Sequence, residues 1–145
     1  MEFSDAIRSC FSQYATFSGR ARRSEFWYFI LFTILGSFVL GIFESLAFGW
    51  SLFGRGGLST LFDLVVLLPS ISVAVRRLHD CDKSGWWWWL WLIPIVGWII
   101  LLIWYCTKGT FGPNRFGPNP FGDDEDQDDE VFAYKSSIPS VTRKD

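Results

Sequence analysis

The sequence predicts an all-α integral membrane protein with three transmembrane helices. Three apolar runs, at about residues 26–48, 58–75 and 86–106, each approach the roughly 20 residues that a helix needs to cross a bilayer. Half of the 145 residues are hydrophobic, and a soluble fold with runs of this length would have too little polar surface to cover them. Basic residues flank the runs asymmetrically, which predicts the orientation of the chain.

A cytoplasmic N-terminus follows from the positions of the arginines and lysines. Short loops rich in these residues stay in the cytoplasm, and the loop between the first two runs carries only Arg55. Three spans would then place the C-terminus in the periplasm or outside the cell, although Lys108 and Arg115 follow the third run. The basic residues on the predicted inner side are Arg8, Arg20, Arg22, Arg23, Arg76, Arg77 and Lys83.

A short amphipathic helix is predicted before the first run, at the inner membrane surface. Apolar residues recur at three- and four-residue steps from Phe3 to Tyr14, and polar residues fill the other face. The apolar stripe is consistent with lipid contact and equally with packing on the spanning helices. Ser18 can cap the helix that leads into the first run.

The second run is the weakest candidate for independent insertion. It contains Asp63, and an Asp at the centre of a spanning helix costs roughly 3 kcal/mol, against about 0.3 to 0.6 kcal/mol gained per large apolar residue. Pro69 removes a backbone donor, predicts a kink and leaves carbonyl groups that other side chains must satisfy. We therefore expect this helix to be the interior element of the bundle.

Two conformations are open to the third run, because Pro94 and Gly97 interrupt it. A kinked spanning helix is favoured over a re-entrant hairpin, which would return the tail to the cytoplasm. Four consecutive tryptophans, 86–89, with Trp91 predict that its first end is anchored among lipid headgroups.

The chain changes character after the third run. Phe-Gly-Pro-Asn occurs at 111–114 and again at 116–119, and its Gly and Pro residues predict turns. Residues 123–130 are nearly all acidic and the remainder lacks periodicity, so residues 123–145 are expected to be a disordered tail. Residues 1–122 then form the helical membrane domain.

Three motifs in order resemble the domain of unknown function 805 family. The first is FSGRARRSEFW at 17–27, the second is RRLHD at 76–80 with KSGW at 83–86, and the third is the repeated Phe-Gly-Pro-Asn. Together they cover most of residues 17–121. The resemblance implies a small bacterial inner-membrane protein, and it supplies no catalytic residue.

The two inner motifs predict a mixed-charge patch with a basic excess. Such a patch is a candidate site for anionic lipid headgroups or an acidic partner, since each interfacial Lys or Arg adds about 1 kcal/mol of attraction near an anionic surface. Alternatively, the arginines only determine topology and form ion pairs within their loops. The candidate residues are Arg20, Arg22, Arg23, Glu25, Arg76, Arg77, His79, Asp80 and Lys83.

Glu44 and Asp63 lie a few residues inside the outer ends of the first two runs, at similar predicted depth. Carboxylates within a membrane are candidates for carrying protons or cations. Alternatively, both side chains reach the interface and pair with Arg55.

No pattern in the sequence predicts an enzyme, a metal site, a cofactor or nucleic-acid binding. His79 and its neighbours are metal-capable, but four adjacent residues cannot all face one ion without distortion. The three cysteines are odd in number, so a disulfide framework is not expected.

The sequence therefore favours a small membrane interaction or lipid-organising module with a basic cytoplasmic patch. The alternative is a small homo-oligomeric transporter or channel that uses the intramembrane carboxylates. Gly36, Ser37 and Gly41 allow close helix approach, which fits either self-association or packing within one chain. The expected partners are membrane lipids, including anionic headgroups, and a second copy of the chain.

Overall fold

The computed structural model describes residues 1–48 and 57–120, and this part of the chain is helical, with no β-strand. Its elements, in chain order, are α1 (Phe3–Ser12), α2 (Arg23–Phe48), α3 (Gly57–Asp80), a 3-10 helix (Gly85–Leu92) and α4 (Val96–Cys106). The acidic tail at 123–145 and Arg55 lie outside the described residues.

Two helices, α2 and α3, are long and apolar enough to cross a membrane. They contain 26 and 24 residues and are therefore about 39 and 36 Å long, more than the roughly 30 Å of the hydrocarbon core. The two helices run antiparallel, and Gly36 makes room for Phe62, because an added Cβ at Gly36 would lie 2.5 Å from the ring. The first two apolar runs are thus confirmed as membrane-capable helices.

The surface of this helix pair is apolar. Large hydrophobic side chains such as Ile34, Phe38 and Leu46 on α2 and Leu64 on α3 are 61% to 82% exposed. A water-soluble monomer rarely carries apolar surface this extensive, whereas a bilayer would cover it.

Helix α1 packs across α2 and α3 at the end where α2 begins. Its Ala6 and Cys10 are fully buried, and the ring of Phe11 lies edge-on to that of Phe29 at 5.8 Å. Of the two alternatives for its apolar stripe, the structure therefore shows packing on the long helices.

Packing of α1 also accommodates the proline in α3. Pro69 cannot donate to the carbonyl of Val65 four residues earlier, and the hydroxyl of Tyr14 donates to that oxygen at 2.6 Å. Ser70 donates to the carbonyl of Val66 at 2.7 Å. The prediction that side chains must satisfy carbonyl groups around Pro69 is confirmed.

The third apolar run is not one continuous helix, and the predicted third span at 86–106 is not confirmed. The chain reverses at 93–95, between the 3-10 helix and α4. Pro94 has no N–H to continue a helix, and Ile95 adopts a φ of 67°. Gly97 packs directly on the first arm, since an added Cβ would lie 1.9 Å from the carbonyl oxygen of Leu90. We call the segment Gly85–Cys106 the hairpin.

Both ends of the hairpin lie at the end of the bundle where α3 finishes. The indole rings of Trp87 and Trp104, one on each arm, are 5.7 Å apart, and the amide of Thr110 donates to the carbonyl of Asp80 at 2.8 Å. Eight 3-10 residues and eleven α-helical residues each rise about 16 Å, so the two arms have equal length. That length is about half of a hydrocarbon core.

Replacing Gly97 by Ala should destabilise the protein by about 1–3 kcal/mol, because the new methyl group would force the two arms of the hairpin apart. Thermal unfolding of the detergent-solubilised protein, followed by tryptophan fluorescence, measures the effect. Gly41→Ala is the matched control, since an added Cβ there meets nothing within 4 Å. Equal melting temperatures for the two variants would contradict the hairpin.

Candidate functional site

Asp80, the last residue of α3, lies at the centre of a buried charge cluster. Its side chain is fully buried and accepts hydrogen bonds from Arg20 Nε at 2.9 Å and from Arg77 Nη1. Gly109 packs on the same carboxylate, where an added Cβ would lie 2.1 Å from Oδ2. Charge-assisted bonds of this kind are roughly twice as strong as neutral ones.

The remaining donors of these two arginines bind backbone carbonyls that follow or end α4. Arg20 donates to the carbonyls of Gly112 at 2.5 Å and Thr110 at 2.6 Å. Arg77 donates to the carbonyl of Tyr105 at 3.3 Å and to that of Thr107. The last carbonyls of a helix have no partner within it, so Arg77 satisfies groups that α4 leaves free.

A second buried ion pair lies beneath α1. Arg76 Nη1 is 3.1 Å from Glu25 Oε1 and donates to Gln13 Oε1 at 2.8 Å, while Ser9 donates to Glu25 at 3.0 Å. Within the described part of the chain, the Nε and Nη2 atoms of Arg76 have no hydrogen-bond partner. Glu25 and Arg76 are each less than 5% exposed, so α1 covers this pair.

The thiol of Cys10 contacts the same carboxylate at 3.8 Å. Burial, together with the negative charge of Glu25, raises the pKa of Cys10 to about 12. The thiol is therefore protonated at neutral pH and is a poor nucleophile.

His79 lies between the segment that precedes α2 and the Phe-Gly-Pro-Asn segment that follows α4. Its ring stacks on that of Phe116 at 3.9 Å and 2°, and its Nδ1 lies 3.2 Å from the carbonyl oxygen of Gly19. Asn114 donates to the His79 carbonyl at 2.8 Å. These contacts show His79 in a packing position between loops.

The candidate patch thus divides into two groups. Six of its nine residues are buried: Arg20, Glu25, Arg76, Arg77, His79 and Asp80. The other three lie at the periphery. Arg22 donates to the Pro120 carbonyl at 2.6 Å, exposed Arg23 reaches the Cys106 carbonyl at 3.5 Å, and half-buried Lys83 lies 5.5 Å from the Trp104 ring.

The sequence did not predict that the Phe-Gly-Pro-Asn segment would contact the Asp80 cluster, or that α1 would cover the pair of Glu25 and Arg76. Gly and Pro in that segment predicted turns, but the pattern did not show that its carbonyls would bind Arg20. The one usable signal was Asn114, a residue type that often bonds backbone within turns, and it accepts from the Phe116 amide at 2.9 Å.

Glu44 and Asp63 each bond the opposite long helix. Glu44 of α2 is buried and accepts from the amides of Leu58 and Ser59, so it caps the N-terminus of α3. Asp63 of α3 accepts from the hydroxyl of Ser37 of α2. The alternative pairing with Arg55 concerns a residue outside the described part.

Comparisons with known proteins identify similar chains. The family model described as "Protein of unknown function (DUF805)" matches residues 14–118. The chain is 49% identical to the inner membrane protein YhaH of Escherichia coli K12 over 103 residues, which is 70% of this chain and 84% of YhaH. It is 42% identical to the inner membrane protein YhaI of the same organism over 107 residues, covering 74% and 87% of the two chains.

A further relative in Escherichia coli K12 is the uncharacterized protein YiiR, with 36% identity over 108 residues and 68% coverage of each chain. No solved structure matches the chain.

Replacing Asp80 by Asn should cost about 3–5 kcal/mol of stability, because two buried guanidinium groups would lose the carboxylate that they share. The matched control is Asp82→Asn, since the ion pair of Asp82 with Arg115 is largely exposed and contributes at most about 1 kcal/mol. Unfolding by heat or denaturant in detergent compares the two. Similar losses in both variants would show that the buried cluster does not hold the fold.

Proposed function

Because the chain belongs to the DUF805 family and resembles Escherichia coli inner-membrane proteins, we propose that it crosses the bacterial inner membrane twice and organises lipids of the cytoplasmic leaflet. The lipid-contacting element is the hairpin, which enters the leaflet and returns to the same surface. The observation that carries this proposal is the position of both hairpin ends beside the buried Asp80 cluster.

The distribution of basic residues supports this topology. The start of α2, the end of α3 and both ends of the hairpin lie together, so Lys108 and Arg115 join the inner arginines on one side. Short segments rich in Lys and Arg remain in the cytoplasm, which makes this end the cytoplasmic one. Three spans would place Lys108 and Arg115 on the side opposite the other basic residues, whereas two spans place them on the same side. The acidic tail would also begin on the cytoplasmic side.

The tip of the hairpin is chemically suited to hydrocarbon. Irregular backbone is costly in lipid unless its polar groups are paired, and here the three carbonyls of the turn are paired. Ile93, Pro94 and Ile95 accept from the amides of Gly97, Val96 and Ile99, at 3.1, 2.8 and 2.9 Å. These carbonyls therefore need no water.

Side chains on the hairpin present apolar and aromatic surface outward. Trp86 near the base is 79% exposed, and Trp91, Ile95 and Val96 toward the tip are 58% to 68% exposed. Indole rings favour the headgroup zone and aliphatic side chains favour the acyl region, so this order fits insertion from the cytoplasmic face. An arm of about 16 Å would fill one leaflet.

The basic residues then have two roles. Arg20 and Arg77 hold the base of the hairpin through Asp80 and the backbone. Peripheral Arg22, Arg23 and Lys83 supply the attraction for anionic headgroups that the sequence predicted for the whole patch.

A homo-oligomeric transporter or channel would need Glu44 and Asp63 to face a wet path. Their bonds to the opposite helix support a structural role instead. A second copy is still a proposed partner, because Asp63 is exposed beside Ser37 and the space around Gly41 is open.

Topology is tested by labelling single cysteines with a membrane-impermeant thiol reagent on intact spheroplasts. In a background with Cys10, Cys81 and Cys106 replaced by Ser, Ser51→Cys, between α2 and α3 in sequence, should label directly. Pro118→Cys, which is exposed in the loop after α4, should label only after lysis. Direct labelling at position 118 would rule out the two-span proposal.

Insertion of the hairpin is tested by tryptophan quenching in vesicles. With Trp27 and Trp50 changed to Phe, the remaining seven of the nine tryptophans lie at 86–104. Phospholipids brominated on their acyl chains should quench this emission strongly, and aqueous iodide should quench it weakly. Gly97→Ala, which opens the hairpin turn, should shift the balance toward iodide. Efficient iodide quenching of the parent protein would contradict insertion.

A further inference from the structure

An apolar cavity of about 340 Å³ lies between α2, α3 and the hairpin. Its walls include Phe26 and Ile30 of α2, Ser70 and Ala74 of α3, and Trp88 and Tyr105 of the hairpin. The cavity has the size of a typical small-molecule site, and none of the described residues that line it is charged. The hydroxyl of Ser70 already donates to the Val66 carbonyl, so it offers little to a polar ligand.

Polar groups lie toward one end of this cavity. Arg23 precedes Phe26 and Ile30 by three and seven residues, so the three share one face of α2. Its exposed guanidinium is 3.5 Å from the carbonyl of Cys106, the residue after Tyr105. The Tyr105 ring lies 4.4 Å from that of Phe26, and its hydroxyl has no hydrogen-bond partner among the described residues.

The order of these groups follows the order of groups in a phospholipid. A cation lies at the cytoplasmic end, a phenolic hydroxyl with a free donor follows, and apolar walls continue along α3 toward the membrane centre. The residues from Ala74 to Leu67, which also lines the cavity, rise about 10 Å along that helix.

We propose that this cavity binds one anionic phospholipid of the cytoplasmic leaflet, with an acyl chain between α2, α3 and the hairpin and its phosphate at Arg23. The inference rests on the proposed function, because it requires the hairpin to lie in that leaflet. Charge complementarity favours a lipid over a helix of a second copy: the open cation at the mouth would pair with a phosphate, whereas the exposed face of α2 in a second copy carries mainly apolar side chains, such as Leu31 and Ile34.

The free hydroxyl of Tyr105 would donate to an ester carbonyl of the lipid, one step deeper than the phosphate. This contact would satisfy a donor that the described chain leaves without a partner. It adds no charge, so the preference for an anionic headgroup comes from Arg23.

Native mass spectrometry of the full-length protein tests the site. The protein is equilibrated in detergent with equal amounts of phosphatidylglycerol and phosphatidylethanolamine that carry identical acyl chains, and the retained lipids are counted. Two variants address the two halves of the site. Ser70→Phe fills the cavity, with Ser70→Ala as its control. Arg23→Gln removes the cation, with Arg8→Gln on the exposed face of α1 as its control.

Wild type should retain one phospholipid, with a preference of about fivefold for phosphatidylglycerol, the effect of one interfacial cation. Ser70→Phe should lose lipid of both kinds, and Ser70→Ala should behave as wild type. Arg23→Gln should keep the lipid and lose the preference. Retention by Ser70→Phe equal to that by Ser70→Ala, or an unchanged preference in Arg23→Gln, would overturn the site, as would a retained second copy of the chain in place of lipid.

The tryptophan quenching described above separates the two proposals. If acyl-chain quenching is strong and Ser70→Phe still retains lipid, only the specific site fails. If iodide quenches the hairpin of the parent protein, the proposed function fails first.

Discussion

The interaction on which the structure depends is the contact of buried Asp80 with Arg20 and Arg77. It joins three segments that are distant in sequence: the stretch before α2, the end of α3 and the chain that leaves the hairpin. A carboxylate and two guanidinium groups are costly to bury, and they are stable together only when almost every hydrogen-bonding group is satisfied. The surplus positive charge is met by four backbone carbonyls at and beyond the end of α4.

This requirement explains why the hairpin returns to the point where it began. The carbonyls at the end of α4 lack partners within the helix, and Arg77 has donors that Asp80 alone cannot use. The N–H groups of Arg77 therefore bind the carbonyls at the end of α4. A third spanning helix would carry Tyr105 and Thr107 to the opposite side of the bilayer and leave Arg77 with unpaired donors in the protein interior.

Polar groups within the apolar helices follow the same rule of internal satisfaction. The Val65 carbonyl that Pro69 leaves free is bound by Tyr14 in the turn after α1, and Glu44 caps α3 from α2. Because water is absent from the hydrocarbon core, each such group needs a protein partner, and in these two cases the partner comes from outside the helix that carries the group. These bonds fix how α1, α2 and α3 pack together. The contact of Phe62 with Gly36 determines how closely α2 and α3 approach each other.

Composition and periodicity alone determined the helical membrane class, the first two membrane-capable helices, the short helix before them and the need for a partner near Pro69. These features are local, since apolar length and residue spacing specify them directly. Tertiary structure decided that the third run reverses, because Pro94 and Gly97 permit either a kink or a turn and only the close approach of Gly97 to Leu90 selects the turn. It also decided that six residues of the charged patch are interior, because the sequence shows where charges occur and only packing shows which of them face one another.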